Sequence, residues 1–127
     1  MASPMSREDL QLLPMKIYEE RRQMEIDRFV QRVHKEVLET ATACRTTAKI
    51  YINTSTEDDF KLASAILFRS MTSPIKPVPI DEMEMVLSIL KINLRHMYPD
   101  SKITSVLPSS YNVIQLRRGP HIIIDWS

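Results

Sequence analysis

Glycine is almost missing from this chain: Gly119 stands alone among 127 residues, against eight prolines. Loops that cradle phosphates, and dinucleotide fingerprints, need several glycines, because the backbone there must approach the ligand closely or adopt φ > 0. Walker-type and Rossmann-type nucleotide sites are therefore excluded. Cysteine is as scarce. Cys44 has no partner for an intramolecular disulfide, and a small domain without such a staple fits a reducing compartment. An excess of one charge is lacking too. Lys and Arg total 17 and Asp and Glu 16, a net charge of +1, whereas coating nucleic acid normally needs a clear basic excess. No run approaches the roughly 18 apolar residues of a membrane span, and Met1 to Asp9 lack the apolar stretch of a signal peptide. The expectation is a soluble, cytoplasmic protein.

Catalytic and metal-binding patterns are missing as well. His34, His96 and His121 are scattered, with no two-histidine spacing for zinc and no second cysteine or carboxylate cluster beside them. No serine sits in a nucleophile-elbow context. His34 reads as a solvated residue among charges, and His96 as a partner for a helix end. Cys44 reads as a small buried residue where a helix stops. Asp125, after three isoleucines and before Trp126, invites a role as metal ligand or acid/base group; the alternative is a solvated or ion-paired residue where a strand leaves the core. Glu57-Asp58-Asp59 and Asp81-Glu82-Glu84 each open a helix, where the dipole accounts for them. The expectation is a protein that is not an enzyme, with no catalytic residue, no metal and no cofactor.

What is present is amphipathic structure. An apolar fraction of 43% and charged fraction of 26% suit one folded core. Residues 1–14 read as an irregular arm in which Ser6 and Asp9 can cap a short turn and Pro14 breaks it. From Met15 to about Ala43 neither Gly nor Pro occurs, and Ile26, Phe29, Val30, Val33, Val37 and Ala41 form one stripe at spacings of three and four. Arg21 with Glu25, Arg32 with Glu36 and Lys35 with Glu39 are spaced to pair along it. Such a helix is about 43 Å long. A globule of this size is about 36 Å across, so the sparsely apolar first part, residues 15–25, should overhang.

Thr47 to Asn53 alternates like a half-buried strand, with Ile50 and Ile52 on one side. Ser55 or Thr56 can cap a second helix reaching about Met71, with Phe60, Leu62, Ala63, Ile66 and Leu67 apolar. Pro74, Pro77 and Pro79 mark an extended connector. A third helix then runs to about Met97, with Asp81 and Glu84 as a capping box, Ile80 and Met85 as a staple, and Met83, Val86, Leu87, Leu90, Leu94 and Met97 buried. Ile89 and Ile92 widen that face. Most of the eight methionines fall at helical positions and read as core filling. Strands follow at Ile103–Leu107, Tyr111–Leu116 and His121–Trp126. The last has no alternation and reads as central, covered on both faces. The sum is an α+β two-layer domain over residues 26–127 in the order α-β-α-α-β-β-β, its helices covering a mostly antiparallel sheet of about four strands, preceded by residues 1–25 as an arm and overhang.

Two short segments, Tyr98-Pro99-Asp100-Ser101 and Ile122-Ile123-Ile124-Asp125-Trp126-Ser127, resemble the ends of small proteins encoded by large cytoplasmic DNA viruses. In those, a helix closes on an aromatic-Pro-Asp-Ser turn and the last strand ends in Asp-Trp-Ser. The resemblance implies a virus-encoded structural or assembly protein, a minor virion component, and carries over no catalytic residue. The overlong helix points the same way, to a structural or interaction module that binds a protein partner or its own copy through Met15, Ile17, Tyr18, Arg21, Arg22 and Met24. A nucleic-acid-associated protein is the alternative, with Arg117 and Arg118 on a hairpin turn and neighbouring Lys102 as candidate phosphate contacts.

Overall fold

Ser6 opens the first helix with a complete capping box. Its hydroxyl accepts from the Asp9 amide at 3.1 Å, and the Asp9 carboxylate accepts from the Ser6 amide at 3.3 Å. The computed structural model describes residues 6–54, 56–69, 78–107 and 119–127. From the Ser6 cap, α1 runs unbroken from Arg7 to Thr42, 36 residues that span about 54 Å at the usual rise. The expected break at Pro14 does not occur, and there is no irregular arm over residues 7–14. Lacking an N–H, Pro14 forfeits one bond, to the Leu10 carbonyl; both residues are exposed, so water can serve that carbonyl.

Glu25, Ile26, Phe29, Val33 and Val37 are the buried residues of α1, all in its second half. Val30 packs beside them; Ala41, expected on the same stripe, is exposed near the helix end. There the chain leaves in a Schellman turn. Arg45 donates its amide to the Thr40 carbonyl at 3.1 Å and Cys44 to Ala41 at 3.0 Å, with Cys44 at φ 61°. The turn places the Cys44 thiol at the surface rather than in the core.

β1 (Thr47–Tyr51) buries Ala48 and Ile50, and Ile52 just beyond it is buried too. α2 (Glu57–Ile66) is shorter than its expected reach to residue 71. It ends on a second Schellman turn, with Arg69 donating to Ser64 at 2.8 Å, Phe68 to Ala65 at 3.3 Å, and Phe68 at φ 56°. Both turns hold a side chain where glycine fits best, at a cost of about 1 kcal/mol each. Thr56 is the N-cap of α2, but its hydroxyl donates to the Asn53 carbonyl, so the acidic first turn alone answers the helix dipole.

α3 (Ile80–Met97) begins earlier than its capping-box reading. Pro79 takes the N-cap position, Asp81 falls inside the first turn, and Met85 is exposed, so neither box nor staple forms. A proline with φ fixed at −56° sets the entry angle instead. Met83, Val86, Leu87, Leu90 and Leu94 are buried, whereas Met97 and Ile92, expected on that face, are exposed. Among the described methionines Met83 alone reaches the core; Met85 and Met97 lie at the surface, contrary to the expectation of core filling, as do Met15 and Met24, which were also expected as partner contacts.

β2 (Lys102–Val106) and β3 (His121–Asp125) complete an antiparallel sheet in the order β1-β3-β2. Ile50 and Ser105 flank Ile122, and Lys49 and Thr104 flank Ile123. The ladder extends at both ends of β1, through the Ile52 amide to the Pro120 carbonyl and the Trp126 amide to the Thr46 carbonyl, each 2.9 Å. The described residues hold three strands; the fourth expected strand, Tyr111–Leu116, lies outside them. β3 is central, as its composition suggested, yet only one of its faces is buried. Ile122 and Ile124 point into the core with Ala48, Ile50 and Ile103, while Ile123 is half-buried on the outer face. The fold is α+β, with α1 and α3 against one face of the sheet, α2 packed on those two helices, and the core between the layers.

Candidate functional site

The candidate site is the first half of α1, where residues 7–24 contribute no buried side chain. Two faces must be separated along it. One continues the direction of the core stripe. Here the Tyr18 ring lies tilted against Phe68, with ring centres 5.9 Å apart, and the Arg22 guanidinium lies 3.8 Å from the Phe68 ring centre. Arg22 also donates through Nη2 to the Ile66 carbonyl, placing its charge at the negative end of α2. Its Nε, buried, has no partner among the described residues. The guanidinium therefore clasps the turn after α2, and Tyr18 and Arg22, expected as partner contacts, are engaged within the domain. Arg21 lies over Tyr18 at 6.0 Å.

The other face is free of such contacts. Leu10 is 54% exposed, Leu13 37%, Ile17 46% and Met24 54%. At about 100° per residue these four form a stripe roughly half a turn around the axis from Ile26, Phe29, Val33 and Val37. A shallow groove along its upper part is lined by Leu10, Leu13, Pro14, Ile17, Tyr18 and Arg21. Of the expected contact residues, Ile17 and Met24 belong to this stripe, while Met15, also exposed, points elsewhere. Leu10 and Leu13 were missed. The spacing 10, 13, 17, 24 runs through Pro14, and treating that proline as a helix boundary hides the pattern.

Elsewhere the charged residues serve the fold. Asp59 is buried, accepting from Arg32 at 2.7 Å and from the Asn53 amide at 2.7 Å, which ties α1 to α2 and takes Arg32 away from Glu36. Buried Glu25 meets Arg28 at 3.2 Å rather than Arg21. His34 is exposed, and its Nδ1 is 2.9 Å from the Tyr98 hydroxyl; burial pushes the Tyr98 phenol above its ordinary range. Asp125 accepts from the Ser127 amide at 3.0 Å. That bond, aided by Lys102 on the neighbouring strand and by Thr47, holds its carboxyl below the usual range, opposite to what a general acid needs.

No family model, curated protein or solved structure matches this chain. Function must come from the site itself.

Lys102, a candidate phosphate contact, lies across from Asp125, which offsets its charge; Arg117 and Arg118 lie outside the described residues. Among the described residues no three of His, Cys, Asp and Glu come together in a group that could hold a metal, and no helix is long and apolar enough to cross a membrane.

Proposed function

We propose that the protein is a non-enzymatic interaction module, a structural or assembly component of the kind its C-terminal segments resemble, and that it docks through the first half of α1. One observation carries this reading: an apolar stripe on a well-capped helix, turned away from the only core the described residues form. Exposed apolar side chains in scattered positions need no explanation, but four in helical register make a face that water disfavours and another helix can cover. The clasp between Arg22 and the end of α2 supports the reading too, because it fixes the rotation of the helix and so the direction of the stripe.

The test is site-specific photocrosslinking in the cells that express the full chain. A photoreactive residue at position 10, 13 or 17 should give discrete adducts, and the same residue at exposed Lys35 should not. Substituting Glu for Ile17 should abolish the adduct at position 10. Adducts that are absent, or no stronger at the stripe than at residue 35, would sink the proposal.

A further inference from the structure

The stripe has one charged border that the domain uses only in part, with Arg21 lying over Tyr18 and Arg28 reaching Glu25 through one nitrogen. Arg7, Arg21 and Arg28 stand at seven-residue intervals along one side of Leu10, Ile17 and Met24, with Pro14 in the remaining place of the row. The opposite border, Asp9, Lys16 and Gln23, is mixed. Arg7 is exposed, and the Arg28 side chain keeps 61% of its surface in solvent although one nitrogen meets Glu25. Apolar seam residues beside a row of like charge at heptad spacing are the pattern by which one helix selects another in a coiled coil.

From this pattern, and resting on the docking role proposed above, we infer that the stripe receives an amphipathic helix of another protein whose flanking row is acidic, so that carboxylates meet Arg7, Arg21 and Arg28 while apolar residues cover Leu10, Leu13, Ile17 and Met24. Glu20 occupies the seam between Ile17 and Met24, a polar break of the sort that fixes register. A second copy of this chain fits poorly. In an antiparallel pair like borders face each other, which sets arginine against arginine; in a parallel pair the borders cross, which sets Lys16 against Arg21. A membrane surface fits poorly as well. Residues 7–24 hold four basic side chains, Arg7, Lys16, Arg21 and Arg22, and four acidic ones, Glu8, Asp9, Glu19 and Glu20, which leaves nothing to draw the helix to anionic lipid.

Two synthetic helices decide the matter. Both carry leucine at the seam positions; one carries glutamate along its flank and the other lysine. Their affinities for the full chain are measured by fluorescence anisotropy at low salt. The glutamate helix should bind at least about ten-fold more tightly, since three exposed pairs each give a modest factor and the lysine helix reverses all of them. Replacing Arg7, Arg21 and Arg28 together with Glu should invert the preference, and L10E should weaken both helices. Arg7 and Leu10 are exposed, whereas Arg21 is half-buried and Arg28 pairs with buried Glu25. Each variant is therefore first shown to melt like the parent, and R7E alone, which should weaken the preference, backs up the triple variant.

Equal affinity for the two helices, or an arginine triple variant that keeps the parental preference, overturns the assignment. So does binding to phosphatidylserine vesicles without peptide selectivity, or a concentration-dependent dimer in sedimentation that L10E dissolves. These outcomes leave crosslinks at the stripe, and with them the docking role, untouched; only the loss of those crosslinks removes the docking role itself.

Discussion

Residues 7–24 and residues 25–42 are halves of one continuous helix, but the stripe of Leu10, Leu13, Ile17 and Met24 in the first points nearly opposite to the buried stripe of the second. In the second half Phe29 and Val33 enter the core, and buried Glu25 keeps its charge beside Arg28. In the first half Leu10, Leu13 and Ile17 meet solvent. A helix is stiff about its axis, so one globule can bury only one phase of it. Among the described residues, the sheet and helices that cover one stripe leave the other, half a turn out of phase, in solvent. The contrast separates the part of α1 that builds the core from the part on which the proposed docking role rests.

The sharpest way to break this contrast is to truncate one side chain in each half. F29A should cost about 3–5 kcal/mol in urea denaturation, since the ring is buried. L13A should change stability by no more than about 0.5 kcal/mol. Comparable losses at the two positions would mean that the tip is packed as firmly as the rest. Arg22 ties the first half to the domain. R22A, which removes the cation–π contact and the bond to the end of α2, should cost about 1–2 kcal/mol. R22K should recover little of it, because a lysine cannot reproduce the planar contact over Phe68. Full recovery by lysine would reduce the clasp to a simple point charge.

Much of the fold was legible because period and composition change along the chain: the spacing of Ile26, Phe29, Val33 and Val37 marked the core side of α1, and His121 to Asp125 announced a central strand. What failed were local signals overridden by their neighbours. Asp81 and Glu84 spell a capping box, but Pro79 begins the helix first. Cys44 and Phe68 stand where glycine is expected, so neither Schellman turn was foreseen in a chain with one glycine. The site was half legible. Ile17 and Met24 were readable as exposed apolar residues, whereas the distinction between them and Tyr18 or Arg22 depends on Phe68, which reaches them only in the folded chain.

Pro14 offers the subtlest probe of the comparison. A proline inside a helix costs about 3 kcal/mol relative to alanine, yet where that energy appears depends on whether the tip unfolds with the domain or before it. Residues 7–17 are all exposed, and a helix of that length has little stability of its own. Opening of the tip should therefore precede global unfolding, and P14A should act on the first event alone. Hydrogen exchange of amides in residues 10–17 should slow by as much as about a hundred-fold, while the urea midpoint of the domain stays where it was. If the midpoint rose instead by an amount matching the full propensity gain, tip and domain would be a single cooperative unit. The independence of the two halves would then be lost, and with it the reason to assign the outward stripe to a partner rather than to the fold.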